Sequence, residues 1–489
     1  MTPAFPLLLV LAPLVGLAGL ALGAAARGGL GRWLGGGFAL LPAVLGTWGA
    51  LGGPVPAGEV RVPWLRAIRA DFHLAVDGPT LLLAAVTALV TASVWAGIDF
   101  RSRGARARAA LLLIAESATL AALASRDGFL LFACSELAAF ALLAGAVLCR
   151  EREAGPPVTG FAALHCGASA LCCAALVGLR LEAGTSSLPV LAELARLGRL
   201  DGAHLPRGGA LGGLEFVVWC PLFLGVACAL RFLAAPLPLL WKDARGPADG
   251  RREAWQMAWA VLPALTAGAL LLRVGLPLAG VHAQRASLGC GLLGALSLPG
   301  IASWLGRGDR EALPPRNVAA LAWGQLAACL LAAGTLAEGS SRAAVLQLLH
   351  FGLTIPALAW ALSRRPARSG LASLALLAAL GLPLFSGAGP LAAALLGGLL
   401  GRAPLLHPLF LWIAPCAAVG WILLARAAWR ARSPAPIGTA EHGAGAAESR
   451  EGRAWIAAAL LALSGAVGLV EGLAWILDGA AFAAWRIAP

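Results

Sequence analysis

Residues 228–250 read CALRFLAAPLPLLWKDARGPADG. Arg231 stands inside an apolar run, Pro236 and Pro238 fall within one helical turn, and the run ends in a polar exit at Lys242, Asp243 and Arg245. A charge in a membrane span costs about 2.5–3.5 kcal/mol on insertion scales, so it demands a partner or a water-filled cavity and marks a functional position by default. Prolines free backbone carbonyls from the helix ladder, and within a bilayer only protein or internal water can satisfy them. A broken helix beside a buried cation reads as an ion path.

The flanking chain sets the class. Hydrophobic residues make up 60% of the 489 and only 12% are charged, with a mean hydropathy of +0.82, far from a soluble globular profile. Apolar runs of about 20 residues, enough to cross a bilayer core of roughly 30 Å, recur from end to end. Fourteen spans are expected, near 4–26, 32–52, 78–99, 108–125, 128–149, 158–179, 212–240, 255–279, 286–305, 317–336, 342–362, 370–400, 404–427 and 454–478. The expected fold is therefore all-α and polytopic, in contact with the lipid bilayer throughout. The first run lacks a basic n-region and a cleavage site, so it reads as a retained span. The connection 181–212 is expected to carry a short amphipathic helix around 188–197, and 430–453, rich in Ala, Gly, Pro and Ser, a flexible linker.

The net charge of +13 comes from 36 arginines and one lysine, and there is no tyrosine. The charge is dispersed over loops, which argues against nucleic acid as a partner. Loops after odd-numbered spans hold about twice the arginine and lysine of the others, which places them in the cytoplasm and both termini outside. Ten cysteines lie mainly inside spans, with no CxxC or Cys/His spacing for a metal site. There is no GxGxxG after a strand and no Walker motif, so no cofactor is expected.

A second interruption, residues 381–390 (GLPLFSGAGP, with Pro383, Gly387 and Pro390), falls in span 12, five spans after span 7. Broken spans at matching positions point to two inverted five-helix repeats. The expected organisation is spans 1–3 in 1–107, a first repeat in 108–280, a second in 281–428, a linker in 429–453 and span 14 in 454–489.

Four stretches resemble the proton-pumping, antiporter-like membrane subunits of respiratory NADH:quinone oxidoreductase (complex I) and their Mrp-type antiporter relatives. HLAVDG at 73–78, leading into LLLAAVTALV, resembles the family's opening of span 3. DGFLLF at 127–132 with Ser135-Glu136-Leu137 resembles its span 5 with a signature glutamate. Arg231 to Asp243 resembles K-x-x-x-x-P-F-H-x-W-L-P-D, and Gly381-Leu382-Pro383 with Gly387 resembles GlPPxxGFxxK. The span 3 opening and Asp243-Ala244-Arg245 look closest to the M-type subunit, with N and L types as relatives.

The resemblance implies ionisable residues at mid-membrane depth, half-channels in each repeat, and partner subunits that carry the redox chemistry. Glu136 takes the place of the span 5 glutamate, and Arg231 stands where its lysine partner belongs. Arg273 stands where span 8 has a lysine, and His350 matches a span 11 histidine, while Thr354, Leu391, Ala388, Pro238 and Glu311 depart from the family pattern. A buried lysine can release its proton, whereas arginine stays charged in proteins. The expected function is thus that of a membrane subunit of a complex I-like assembly in a bacterial inner membrane. Its proton translocation is impaired or rerouted, and the Glu136–Arg231 pair is a structural or electrostatic element. An Mrp-type cation/proton antiporter or membrane-bound hydrogenase subunit, and a non-conducting scaffold, are the alternatives.

Other buried candidates have two readings each. Arg273, near the end of span 8, either joins the relay or snorkels to an interface. Glu116, in the middle of span 4, is either an added relay carboxylate or the partner of an arginine, with Thr119 placed to offer it a hydrogen bond. His350 is a relay group or a satisfied core histidine, and His165 in span 6 has the same two readings, core first.

Overall fold

The structure is a computed structural model. It describes residues 4–25, 30–50, 58–66, 70–98, 100, 104–148, 155–205, 215–240, 250–278, 283–306, 313–334, 340–362, 370–380, 418–426, 455–464 and 466–467. The described residues are helical nearly throughout, as expected, and the chain divides into two compact units: Met1–Ala235 with Ala258–Gly289, and Pro236–Met257 with Cys290–Pro489. Eight of the described helices are long and apolar enough to cross a membrane. The linker, Lys242, Asp243, Arg245, Glu311, the interruption at 381–390 with Pro383, Gly387, Ala388 and Pro390, and Leu391 lie outside the described residues.

The first unit opens with α1 (Ala4–Ala25) and α2 (Leu30–Ala50), packed on each other. A hairpin absent from the sequence reading follows, β1 (Glu59–Leu65) antiparallel to β2 (Ala70–Ala75). Its strands carry alternating charges, Arg61 paired with Asp71 at 2.7 Å, which hid it in a search for apolar runs.

Two helices then start with the same device. Asp77 precedes α3 (Gly78–Gly97) and accepts the Thr80 N–H at 2.9 Å, with Pro79 in the first turn. After α4 (Ala105–Ala124), Asp127 precedes α5 (Gly128–Leu148) and accepts the N–H groups of Phe129 and Leu130 at 2.9 and 3.1 Å. Each carboxylate satisfies donors that the first helical turn leaves without intrahelical partners.

α6 (Gly155–Ala183) ends at Gly184, whose φ of +69° closes the helix with an N–H to the Arg180 carbonyl at 3.0 Å. The amphipathic helix expected near 188–197 is α7 (Leu188–Arg196). α8 (Phe216–Ala234) packs on α6 and stops before Pro236; the chain goes on as a 3-10 turn, Leu237–Leu240, that contains Pro238. The proline break is thus in place. α9 (Gly250–Leu270) runs into a π turn, Leu271–Gly275, and a last turn α10 (Leu276–Leu278). α4 packs on α1, α3 and α5. The Ser117 hydroxyl in α4 donates to the Val10 carbonyl of α1 at 2.7 Å within a core of Leu9, Leu74, Ala84, Leu120 and Leu130.

The second unit holds α11 (Ala283–Gly306) from Cys290 on, α12 (Leu313–Gly334), α13 (Ser340–Leu362) and α14 (Gly370–Ala379). α13 packs on both α12 and α14.

Small residues set the closest helix approaches. A Cβ on Gly46 of α2 would lie 2.5 Å from the Leu81 carbonyl oxygen of α3, while one on Gly37 would meet nothing within 4 Å. Gly46→Ala should therefore destabilise the unit by about 1–3 kcal/mol through forced separation of the helices. Gly37→Ala should leave the melting temperature in detergent unchanged or raised, because alanine is the better helix former.

Candidate functional site

The span 5 and span 7 charges meet. Glu136 on α5 and Arg231 on α8 lie 2.5 Å apart, Nη2 to Oε1. The Arg231 side chain is 1% exposed and that of Glu136 16%, so a desolvated cation faces a carboxylate at the edge of the buried zone. Arg231 Nη1 donates to the Ser135 hydroxyl at 2.9 Å, and that hydroxyl donates in turn to the Phe132 carbonyl at 2.8 Å. Nη2 also reaches the Ser169 hydroxyl at 3.3 Å. Breaking such a pair leaves an uncompensated buried charge, which is why it persists despite its desolvation cost.

A third helix completes the cluster. His165 and Ser169 stand one turn apart on α6, so both face α5. His165 Nε2 lies 3.2 Å from Glu136 Oε2, and the Ser169 hydroxyl lies 2.8 Å from Glu136 Oε1 and 2.8 Å from the His165 carbonyl. The His165 ring stacks on Phe161, and its Nδ1 is buried with no hydrogen-bond partner among the described residues. Sequence reasoning missed Ser169 outright, put the core reading of His165 first, and quoted Ser135 only as a neighbour of Glu136. Their signal was the i,i+4 spacing of His165 and Ser169 and the adjacency of Ser135 to Glu136.

Arg273 goes elsewhere. From the π turn its Nη2 donates to Asp77 Oδ1 at 2.9 Å and to the Thr80 hydroxyl at 2.5 Å, and Nη1 donates to the Ser125 carbonyl at 3.1 Å. Arg126 closes the same carboxylate from the other side at 2.9 Å. A widened turn re-aims side chains from the regular helical ladder, and this one carries Arg273. The result is an ion pair where α3 begins, separate from the Glu136 cluster. Burial alone would raise the Asp77 carboxyl; Arg273, Arg126 and the Thr80 hydrogen bonds outweigh it and hold the group below the usual carboxylate range.

Glu116 is fully buried in α4, and neither carboxyl oxygen has a hydrogen-bond partner among the described residues. The Thr119 hydroxyl expected to serve it donates instead to the Ala115 carbonyl at 2.8 Å, the usual competition from a helix's own backbone. An isolated ion buried in this way is far costlier than the neutral acid.

His350 belongs to a network in the second unit. It hydrogen-bonds the Ala378 carbonyl. On α12, Gln325 Nε2 donates to the Thr354 hydroxyl at 3.0 Å and to the Ala379 carbonyl at 2.8 Å. No cluster of His, Cys, Asp and Glu among the described residues has the arrangement of a metal site.

Solved membrane complexes contain chains of this fold, three of them as follows. A chain of respiratory complex I from Thermus thermophilus with bound NADH aligns at a TM-score of 0.71 with 21% identity, over 97% of this chain and 100% of that one. A chain of the membrane-bound sulfane sulfur reductase, an archaeal respiratory membrane complex, aligns at 0.69 with 15% identity, over 97% and 96%. A chain of the Mrp complex from Dietzia sp. DQ12-45-1b aligns at 0.60 with 17% identity, over 98% of this chain and 58% of that one. No protein-family model and no curated protein matches the chain. At the level of fold, the resemblance read from the four motifs is borne out.

Three variants test the energetics of the two charged sites. Arg231→Leu should destabilise the protein by roughly 3–5 kcal/mol in detergent unfolding. Arg273→Leu should cost less, because Arg126 still neutralises Asp77. Because the Asp77 carboxyl is held low in the fold, its contribution to stability is complete above the ordinary aspartate value of about 4 and is lost as pH falls below that. Asp77→Asn should therefore lower stability at pH 7 and narrow the difference from wild type at pH 3, read from melting curves at the two values.

Proposed function

We propose that the chain is a multi-pass membrane subunit of a complex I-like, proton-translocating assembly in a bacterial inner membrane, with its termini outside. Protons pass its first unit through His165 and Glu136, beside Arg231 as a fixed positive charge. One observation carries the reading: a carboxylate on α5 is gripped from two further helices, α6 and α8, and α8 stops before a proline five residues after the arginine.

The chemistry follows from the donor set. Arginine keeps its proton in proteins, so Arg231 supplies field and geometry and no proton. Histidine is the group whose unperturbed pKa lies near neutrality, and its two nitrogens can take up and release protons on opposite edges of the ring. A proton taken up at His165 Nδ1 makes the imidazolium, and loss of the Nε2 proton to Glu136 Oε2 returns the neutral ring in its other tautomer. The Ser169 hydroxyl and Arg231 hold the carboxylate in place during the transfer. The passage is thus rerouted from the lysine expected of the family onto a histidine. The family's redox chemistry, on this reading, belongs to partner subunits.

The test is proton uptake driven by an imposed membrane potential, in vesicles that hold the assembly purified with its partners. Glu136→Gln should lower uptake at least about tenfold, His165→Gln should lower it too, and Arg231→Lys should retain part of it. Undiminished uptake in Glu136→Gln would make the chain a scaffold. Partners with flavin and iron–sulfur clusters support the respiratory assembly, and Mrp-like small subunits would replace it with the antiporter.

A further inference from the structure

One motif occurs twice. Residues 164–169 read Leu-His-Cys-Gly-Ala-Ser and residues 349–354 read Leu-His-Phe-Gly-Leu-Thr, so both share Leu-His-x-Gly-x-hydroxyl. Each histidine stands ten residues beyond the first residue of its helix, Gly155 for α6 and Ser340 for α13. In each copy the hydroxyl lies 2.8 Å from the histidine carbonyl. In each, the same hydroxyl also meets a side chain on the preceding long helix: Glu136 of α5 at 2.8 Å in one, Gln325 of α12 at 3.0 Å in the other. The helix of the motif also packs on a third helix in both units, α6 on α8 and α13 on α14. Arg231 lies five residues before Pro236, and Ala378 lies five residues before Pro383.

The correspondence exchanges both charges at once. Where the first unit has a carboxylate, the second has its amide isostere, and where the first has a guanidinium, the second has a methyl group. The surroundings of Gln325 match an amide and reject a carboxylate. Its Nε2 donates to the Ala379 carbonyl at 2.8 Å, an acceptor that a carboxylate would repel. The carbonyls of Ala378, Ala379 and Leu380, at the end of α14, take side-chain donors in sequence: His350, Gln325 and Trp421, the last at 3.1 Å. Terminal carbonyls have no intrahelical partner, and here neutral donors satisfy them. Residues 370–401 contain no charged side chain at all.

We propose that the second unit carries an uncharged copy of the first unit's ion site, with Gln325 in place of Glu136 and Ala378 in place of Arg231, so that ion passage is confined to the first unit. The equivalence of the sites stands on the repeated motif and its contacts; the confinement of passage rests on the function proposed above.

The two parts are tested separately in the full chain. For equivalence, Gln325→Glu should lower the melting temperature in detergent by at least about 5 °C. The double variant Gln325→Glu/Ala378→Arg should recover most of that loss. The reverse transplant keeps the result decisive if the new arginine does not fit: Glu136→Gln/Arg231→Ala should melt above Arg231→Ala alone. A double variant no more stable than the worse single variant in both units would overturn the equivalence. For confinement, Gln325→Leu should leave potential-driven proton uptake within about twofold of wild type, against the loss expected for Glu136→Gln. Equal losses would overturn confinement. Absence of uptake in the wild-type assembly would sink the proposed function and leave the melting result standing.

Discussion

A guanidinium that is 1% exposed inside a bundle of apolar helices decides much of what surrounds it. Arg231 cannot shed its proton to escape burial, so the fold has to bring it a carboxylate and hydroxyls. That requirement draws α5, α6 and α8 onto a common point and orients the His165–Ser169 face of α6 inward. The packing around it complies. A Cβ on Gly178 of α6 would lie 2.6 Å from the Trp219 ring of α8, so only glycine lets the indole lie across α6.

A second polar layer does a different task. Asp77, Arg126, Asp127 and Arg273 sit where α3 and α5 begin, tied to the hairpin through the Arg126 N–H to the His73 carbonyl at 2.9 Å and to the α6–α7 connection through Ser186. Each carboxylate there caps a helix as well as meeting a charge or a hydroxyl. A side chain that satisfies backbone donors is held in one geometry, and this suits a structural anchor better than a proton station. The contrast separates Arg273 from Arg231, although both are arginines within apolar helices.

The two units show how one arrangement of helices can hold either a charged or a neutral site. In the first, a carboxylate and a guanidinium satisfy each other. In the second, an amide and an imidazole turn to the carbonyls of a helix end. Loss of one charge alone would strand the other, so the exchange is stable only when both members change together.

Much of this was legible in the residues. Apolar runs of membrane length announced the helices, Pro236 marked the break after α8, and Glu136 and Arg231 declared themselves by the cost of a charge in hydrocarbon. The hairpin, the direction of Arg273 and the role of His165 were not legible. Periodicity says which helix face a residue occupies, and it leaves open which neighbour faces it. A histidine in an apolar helix reads as core until packing sets it against a carboxylate 29 positions away along the chain. Composition and the proline rule thus determined the spans and one of their interruptions, because desolvation and backbone hydrogen bonding act locally along the chain. That Arg273 meets Asp77 and His165 meets Glu136 was decided by tertiary packing alone, since Coulomb attraction acts through space between residues that the sequence keeps far apart.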